Sequence, residues 1–469
     1  MRATETTTPT LADLRRDVIG HDASVPLLDG TTRRYVFLDN AASTPTFHSI
    51  FRSMEDFLPW YAGVHRGMGY KAIVATRIYD DAHRIVAGFV NANPATNTVI
   101  FTKNTTESVN KLARRCNFTP GDTILTTMME HHSNDLPWRR NGGVRYAPVT
   151  ADGRLDLPAL RKEIRASAGS LKLVAVTGAS NVTGYCNPIH EIAAWTHEAG
   201  AKIFVDAAQL APHKPVDLLE DDDPGHIDFI AFSGHKVYAP FGVGVLIGPR
   251  SFFETGEPDL VGGGTVRYVG YDSVEWNDPP HKEEAGSPNV LGAIALAKAL
   301  TLLQGVGMKK IAEHEEKLLA YAFPRILRIP GVNVYGQSSD YSQKVGVIPF
   351  TVDGLDHGLV STILSVEAGV GVRNGNFCAQ PYTRALLGVS PEEERKNRVA
   401  RCDNPSLPGM VRASFGCYTT EEDIDIFLEM LEKIARKEYQ GRYEFDLFTG
   451  LYACEGHTIG YSRHFRYDE

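Results

Sequence analysis

The sequence predicts an α/β protein with a large domain, built on a mainly parallel sheet covered by helices, and a second, smaller α+β domain. Between about Thr98 and Gly248, short runs rich in Val, Ile and Phe alternate with amphipathic helical patterns, which is typical of βαβ units. A chain of 469 residues is long for one hydrophobic core, so two domains are expected. We divide the chain into an N-terminal segment (1–34), a large domain (35–295), a smaller C-terminal domain (296–440) and a tail (441–469).

The individual elements follow from this alternation. The runs predicted as strands are, in chain order, TVIFT, DTILTT, LKLVAVTG, AKIFVDAA, IDFIAFSG and GVGVLIG. The stretches predicted as helices between them are TESVNKLARR, LPALRKEIRAS and IHEIAAWTHEAG. A long helical pattern then begins at Pro288 and is interrupted at Gly305–Gly307, and the smaller domain closes with the helix TEEDIDIFLEMLEKIARK. A charged insert at 389–409 ends in the turn signals DNP and SLPG, so we expect a surface loop there.

Composition narrows the classes of function. The net charge is −9, so the chain as a whole has no electrostatic drive toward nucleic acid. No apolar run reaches the roughly 18 residues of a membrane span, and the Thr-rich start lacks the apolar region of a secretory signal. The cysteines are scattered without a CxxC pair, at Cys116, Cys186, Cys378, Cys402, Cys417 and Cys454, which favours a reducing compartment. We expect a cytoplasmic protein with no nucleic-acid or membrane partner.

Polar side chains follow four of the predicted strands at the point where each strand ends. In open α/β sheets, ligands bind at the carboxyl ends of the strands. One such ending would mean little, but four in succession bring a carboxylate, a lysine, amides and imidazoles to one crevice. The residues are His131, His132 and Asn134, then Ser180, Asn181 and Thr183, then Asp206 and Gln209, and finally Ser233, His235 and Lys236.

A helix that follows the first strand adds an anion site to this crevice. Thr105 and Thr106 stand where N-cap residues are expected, and the free amides of a helix N-terminus bind anions. An anion site, a carboxylate, a flat stacking group and a lysine together fit pyridoxal 5′-phosphate. Its aldehyde needs an amine, its pyridine nitrogen a carboxylate and its phosphate a set of amides and hydroxyls.

The order of short motifs along the chain resembles the class V aminotransferase family of fold-type-I pyridoxal-phosphate enzymes. The motifs are YVFLDNAASTPT, HRGMGYKA, NTTESVN, MEHHSNDLPW, SNVTG, VDAAQ, SGHK, EEAGSPN, RNGNFCAQPY and VRASFGCYTTEEDID. Within that family the chain is most similar to cysteine desulfurases and selenocysteine lyases of the SUF type. The resemblance implies a pyridoxal-phosphate cofactor, an amino-acid substrate, a homodimer and a possible sulfur-acceptor protein.

The resemblance also implies roles for the cofactor-binding residues. Lys236 resembles the Schiff-base lysine, and Asp206 the partner of the pyridine nitrogen. Gln209 and Asn181 would contact the phenolic oxygen of the cofactor, and His131 would stack on its ring. The residues expected to hold the phosphate are Thr105, Thr106, Ser233, His235 and, from the other subunit of the dimer, Ser287.

The same resemblance assigns the substrate side of the site. Arg412 resembles the arginine that binds the substrate carboxylate, with Asn181 and Arg373 as further candidates. Cys378 matches the sulfur-accepting cysteine of an R-x-G-x-x-C-A pattern that begins at Arg373. With this thiol in place, the predicted reaction converts L-cysteine into L-alanine and leaves the sulfur on Cys378 as a persulfide.

Two alternatives stay open at this point. A related class V enzyme, such as a C–S lyase, an epimerase or an aminotransferase, would share the scaffold without needing Cys378, since a fold does not fix a function. A catalytically silent scaffold would not need Lys236. No metal site is predicted, because His131 and His132 lack a further ligand at matching spacing and the tail residues Cys454, His457 and His464 match no standard site.

Overall fold

The structure is a computed structural model that describes residues 9–140, 143–399, 408–447 and 449–467. The helices are α1 (Leu11–Asp17), α2 (His48–Phe57), α3 (Tyr70–Phe89), α4 (Thr105–Arg115), α5 (Leu136–Arg139), α6 (Leu157–Ala166), α7 (Ile189–Glu198), α8 (Arg250–Glu254), α9 (Val290–Val306), α10 (Met308–Ile326), α11 (His357–Ala368), α12 (Gln380–Leu387), α13 (Pro391–Val399) and α14 (Glu421–Ala435).

The strands fall into one large sheet, one smaller sheet and several short pairs. They are β1 (Ser24–Pro26), β2 (Thr32–Arg34), β3 (Val36–Phe37), β4 (Asn97–Thr102), β5 (Thr123–Thr127), β6 (Gly143–Ala147), β7 (Leu171–Thr177), β8 (Lys202–Asp206), β9 (Phe229–Ser233), β10 (Gly244–Pro249), β11 (Val266–Val269), β12 (Val274–Trp276), β13 (Val332–Val334), β14 (Val347–Val352), β15 (Val370–Gly371), β16 (Arg373–Gly375), β17 (Met410–Ser414), β18 (Tyr443–Asp446) and β19 (Leu451–Cys454).

The large sheet confirms the predicted α/β class. Its strand order is β4-β10-β9-β8-β7-β5-β6, and β10 runs antiparallel to both of its neighbours while the strands from β9 to β6 pair in parallel. Successive residues of a strand point to opposite faces. On β8, Ile203 and Val205 pack into one apolar cluster and Phe204 into another. Both faces are therefore covered, which explains why the strands read as continuous apolar runs.

The smaller domain is an antiparallel sheet packed against helices. Its strand order is β13-β14-β17-β16, and α10, α11 and α14 contribute buried residues to the same apolar cluster. The helical interruption expected near Gly307 is confirmed, since α9 ends at Val306 and α10 begins at Met308. The division proposed at residue 295 falls inside α9. Among the described residues no single helix is long and apolar enough to cross a membrane. Only α9 and α10 taken together have that length and composition, and they are bent by 74° where they meet.

Three further segments frame these domains. In the N-terminal segment, Arg15 and Arg34 pair with Asp423 of α14 at 3.0 and 2.6 Å. The prediction of a surface loop in the insert is wrong for its first half, where Pro391–Val399 forms a helix. Three glutamates in the first turn favour this helix, because negative charge stabilises a helix N-terminus. The DNP signal of the insert lies outside the described residues. The tail forms a hairpin of β18 and β19.

Candidate active site

Four adjacent strands of the large sheet end at one cavity. The carboxyl ends of β5, β7, β8 and β9 lie side by side because these strands are parallel neighbours. The cavity has a volume of about 310 Å³. The predicted residues that line it are Thr105, Thr106, His131, Asn181, Asp206, Gln209, Ser233, His235, Lys236, Arg373, Cys378 and Arg412.

Lys236 and Asp206 lie at the ends of neighbouring strands. Lys236 closes a single 3₁₀ turn, Gly234–Lys236, directly after β9, and Asp206 is the last residue of β8. Burial lowers the pKa of Lys236 to about 8, against the opposing effect of Asp206. Burial raises the pKa of Asp206, while a hydrogen bond from the Ala208 amide and the charge of Lys236 act in the other direction. A lysine with a lowered pKa has more of the neutral, nucleophilic amine at neutral pH.

The turn that carries His131 is held in place by the buried carboxyl group of Glu130. Glu130 accepts hydrogen bonds from the Thr177 amide at 2.9 Å and the Asn134 side chain at 2.6 Å, so it ties the turn after β5 to the end of β7. His131 Nδ1 accepts a hydrogen bond from the Ser133 amide at 3.0 Å. Burial, with the charge of Lys236, lowers the pKa of His131 to about 3. The imidazole is therefore neutral, with its proton on Nε2.

The N-terminus of α4 opens into the cavity. The predicted N-cap is corrected here, because Asn104 is the N-cap residue and accepts a hydrogen bond from the Glu107 amide, while Thr105 and Thr106 are the first helical residues. The sequence pattern was ambiguous because Asn caps helices as well as Thr does. Ser233 Oγ accepts a hydrogen bond from the Thr105 amide at 2.8 Å. A Cβ on Gly244 would approach the Asn104 backbone to 2.5 Å, so this glycine lets the helix start lie against β10.

The residues that line the cavity fit pyridoxal phosphate in two ways. Their chemical groups match those of the cofactor, and a buried polar atom among them lacks a hydrogen-bond partner. The Thr106 amide in the first turn of α4 and the Ser233 and Thr106 hydroxyls suit a phosphate, and buried Asp206 suits a pyridine nitrogen. Gln209 donates to the Ala41 carbonyl at 2.6 Å, yet its buried Oε1 has no partner among the described residues. Buried polar atoms are nearly always satisfied. An unpaired amide oxygen on the cavity wall is thus the feature expected where a polar ligand binds.

Two arginines of the smaller domain share one carboxylate. Arg412 on β17 donates to the Asn181 carbonyl at 2.9 Å and to Asp39 at 3.1 Å, and its buried Nε has no partner among the described residues. Arg373 on β16 pairs with the other oxygen of Asp39 at 2.8 Å. The side chain of Arg412 is 3% exposed and that of Arg373 is 51% exposed. Burial lowers the pKa of Arg412 to about 10, against the effect of Asp39.

Cys378 reaches the cavity from a tight loop. Phe377 and Cys378 both have a positive φ, 51° and 53°, a left-handed conformation that is uncommon for such residues and must be held by the surroundings. Asn181 donates to the Phe377 carbonyl at 2.7 Å, and the His132 amide donates to the Cys378 carbonyl at 2.7 Å. The thiol-bearing side chain is exposed. The loop thus carries an accessible thiol on a fixed backbone.

Ser287 lies outside the cavity of its own chain, and of the side chains predicted to meet in the crevice, His132, Asn134, Ser180 and Thr183 do not line it either. Ser287 is exposed and precedes Asn289, the N-cap of α9. Nearby, Glu284 accepts hydrogen bonds from the Tyr79 hydroxyl at 2.7 Å and the Phe101 amide at 2.7 Å, and it pairs with His83 at 3.0 Å. These contacts anchor the segment that carries Ser287.

Comparison with known proteins agrees with this geometry. The family model of class V aminotransferases matches residues 36–427. The chain belongs to the class V aminotransferase family. Members of this family are pyridoxal-phosphate enzymes. A cysteine desulfurase of Haloferax volcanii is 36% identical over 88% of this chain and 93% of its own length. A probable cysteine desulfurase of Halalkalibacterium halodurans is 36% identical over 87% and 94%.

Solved structures of cysteine desulfurases share the fold of this family member. The enzyme from Thermococcus onnurineus, in its apo form, superposes with a TM-score of 0.79 at 33% identity and covers 92% of this chain and 99% of its own. A cysteine desulfurase from Escherichia coli has a TM-score of 0.75 at 30% identity, covering 92% and 100%. The large mainly parallel sheet is thus the fold-type-I sheet of the class V family.

Asp39 of this class V protein is a further residue of the site, which was not predicted from the sequence. It lies in the LDNAAST motif, close to β3, and reaches Arg412 and Arg373 across the two domains. An aspartate next to asparagine and two alanines is typical of a turn, so the local sequence gave no signal of a shared ion pair. The one indirect signal was the convergence of two candidate arginines on one cavity. Two neighbouring guanidinium groups repel each other, so a carboxylate close to both of them could be expected.

Proposed function

We propose that the protein is a pyridoxal-phosphate-dependent cysteine desulfurase that converts L-cysteine into L-alanine and takes up the sulfur on Cys378. One observation supports this more than any other. The Cys378 loop and Lys236 line the same cavity, together with Arg412. An amine, a carboxylate-binding guanidinium and an accessible thiol around one small cavity are the groups that this reaction needs.

The residues divide the work as follows. When bound, the cofactor would supply an electron sink for the bond broken at the substrate Cα. Lys236 would hold and move the Cα proton, since burial keeps a fraction of its amine neutral. Asp206 would hold the proton on the pyridine nitrogen, and neutral His131 would stack against the ring without adding charge. Arg412 would bind the substrate carboxylate through its unpaired Nε and its fork of donors.

The sulfur step uses Cys378 as nucleophile. Its thiolate sulfur attacks the sulfur of the substrate, so an S–S bond forms and the substrate Cβ–S bond breaks. The electron pair of the broken bond stays on the carbon side, which takes up a proton on the way to alanine. Cys378 keeps the transferred sulfur as a persulfide, and a thiol acceptor can then remove it.

Replacing Cys378 by Ala tests this proposal against the thiol-independent alternative. We expect alanine formation from L-cysteine to fall by at least about 10²-fold, because no other described thiol lines the cavity. Alanine and pyruvate are quantified side by side for wild type and variant. Cys116→Ala is the matched control, because Cys116 caps the far end of α4 and should give wild-type rates. Unimpaired alanine formation in Cys378→Ala, or pyruvate as the main wild-type product, would overturn the desulfurase proposal.

We also propose that the enzyme is a homodimer in which Ser287 reaches the phosphate site of the partner subunit. Ser287 is exposed and outside its own cavity. The Gly286 amide donates to the Gly263 carbonyl at 2.7 Å, and the segment around Gly263 carries the exposed apolar side chains of Val261, Tyr268 and Tyr271. Exposed apolar surface of this kind marks interfaces. Sedimentation velocity is expected to show a dimer, and Ser287→Ala is expected to weaken retention of the cofactor. A fully active monomer would contradict this assignment.

A further inference from the structure

Two histidines and an aspartate converge at the opposite edge of the large sheet from the candidate active site. Asp228 immediately precedes β9, whose other end leads to Lys236. His197 lies in the last turn of α7 and His226 in the loop before β9. One ligand atom of each residue lies within 4.8 Å of the other two. The three residues, which we call the amino-edge cluster, are separate from the residues proposed for catalysis.

The distances within the amino-edge cluster are close to those around a bound ion. His197 Nε2 is 2.9 Å from Asp228 Oδ2, and His226 Nε2 is 3.9 Å from Asp228 Oδ1. The two imidazole rings are stacked, with centroids 4.2 Å apart and planes inclined by 17°. Ligands bound at about 2.0–2.2 Å to one tetrahedral ion lie some 3–3.5 Å apart. Stacked rings direct their in-plane Nε2 lone pairs side by side, so binding of one ion by both rings requires His226 to turn out of the stack.

Backbone carbonyls fix how both rings are oriented. His197 Nδ1 lies 2.8 Å from the Pro224 carbonyl, and His226 Nδ1 lies 2.7 Å from the Asp223 carbonyl. A carbonyl only accepts, so each Nδ1 is protonated. In both rings Nε2 is the nitrogen on the side of Asp228. Histidine ligands of metal ions commonly donate their second nitrogen to a backbone carbonyl in this way.

The surroundings carry more acidic than basic side chains. A cavity of about 430 Å³ beside the cluster is lined by Asp221, Asp228 and Glu254 and by the basic residues Lys202 and Arg250, and the loop before it reads Glu220-Asp221-Asp222-Asp223. Lys202 donates to Asp228 Oδ1 at 2.7 Å, and the Ile203 amide donates to Oδ2 at 2.9 Å. The amide contact can persist beside an ion. The Lys202 ammonium competes with one.

We propose that the amino-edge cluster binds one divalent transition-metal ion of the zinc class through His197 Nε2, His226 Nε2 and an oxygen of Asp228. Two imidazoles and one carboxylate suit zinc, cobalt or nickel rather than magnesium or calcium, which prefer oxygen ligands. Water from the adjoining cavity would complete the coordination. The ion would join the end of α7 to the start of β9. Both ring nitrogens of His197 face acceptors, so its Nε2 carries a proton. The ion must displace this proton, and the affinity for the ion therefore falls as pH falls.

Equilibrium dialysis of the cofactor-loaded enzyme against Zn²⁺ tests the proposal. The bound metal is counted by elemental analysis for wild type, His226→Gln and the control His190→Gln. His190 makes the same kind of contact, with its Nδ1 2.9 Å from the Gly225 carbonyl, but is not part of the cluster. We expect wild type and His190→Gln to bind one more ion than His226→Gln, whose affinity at this site falls by at least about 100-fold. Equal stoichiometry in all three proteins would show adventitious binding and overturn the proposal.

Lys202→Gln provides a second, opposite test. If Lys202 competes for Asp228, its removal should raise the affinity for Zn²⁺, whereas a purely structural ion pair would lose stability and gain no metal. The shift of the thermal unfolding midpoint on adding Zn²⁺ should be larger in Lys202→Gln than in wild type and absent in His226→Gln. A smaller shift in Lys202→Gln than in wild type would also contradict the site.

Discussion

The two walls of the candidate active site differ in how they are built. The wall formed by the large sheet ends in short turns, and Asp206, Gln209 and Ser233 are buried there. The opposite wall comes from the smaller domain, where Cys378 is exposed on a loop with left-handed backbone. Rigid strand ends hold groups in fixed positions, while loops carry groups that must meet substrates and partners.

This difference separates two levels of chemistry. Binding a cofactor and moving a proton at Cα are common to many pyridoxal-phosphate reactions, and the buried wall carries those groups. The choice of reaction depends on what reaches the substrate side chain, and here that is Cys378. The comparison predicts that changes in the buried wall abolish every reaction, whereas changes in the loop abolish only those that need a thiol.

The largest expected effect is that of Lys236→Ala. No other described group at the end of β9 can replace this amine in bonding the cofactor or moving the Cα proton. Turnover should therefore fall by more than about 10⁴-fold. Exchange of the substrate Cα proton with deuterated solvent, followed by NMR, is the sharper measurement. The exchange should disappear in Lys236→Ala and persist in Cys378→Ala, which retains the buried wall.

The thermal unfolding midpoint serves as the control for both variants. Removal of Lys236 takes a cation out of a buried position, where burial lowers its pKa to about 8, so the variant is expected to stay folded. If Cys378→Ala lost the proton exchange as fully as Lys236→Ala, the buried wall could not move the Cα proton without the Cys378 loop. That result would contradict the division of roles between the two walls.

Local sequence patterns predicted the buried wall, whereas the residues of the loop wall were assigned through the family resemblance. Each strand end is a local pattern, an apolar run followed by polar residues, so Asp206, Ser233 and Lys236 could be assigned to one crevice from these endings. The pairing of Asp39 with Arg412 and Arg373 joins residues that are distant in sequence, and no local pattern encodes it. The same holds for the amino-edge cluster, whose histidines lie in different elements.

Other differences arise from local ambiguity. Asn104, Thr105 and Thr106 are all acceptable N-cap residues, and the structure shows that Asn104, with extended backbone, accepts the capping hydrogen bond from the Glu107 amide. The insert was predicted as a loop because of its turn signals, yet its first part is rich in good helix formers and folds as α13. The contact of Ser287 with a second subunit involves another chain, so it stays a prediction.

The smallest expected effect comes from a matched pair of substitutions, Arg412→Lys and Arg373→Lys. Both arginines bind Asp39, but Arg412 is 3% exposed and has an unpaired Nε, whereas Arg373 is 51% exposed. A lysine keeps the charge and loses the planar fork that binds a carboxylate through two hydrogen bonds. A buried hydrogen bond between charged groups contributes roughly 1.5–3 kcal/mol, and an exposed ion pair about 0–1 kcal/mol.

These two free energies determine how strongly each substitution should change KM. Arg412→Lys should raise KM for L-cysteine by roughly 10- to 100-fold, and Arg373→Lys by less than about fivefold. If Arg412 binds the carboxylate equally in substrate and transition state, kcat should change little in either variant. Steady-state kinetics with wild type, both variants and Cys378→Ala would decide this. An equal or larger effect for Arg373→Lys would move the carboxylate site from the buried to the exposed arginine of the smaller domain, and the unpaired Nε of Arg412 would then need another explanation.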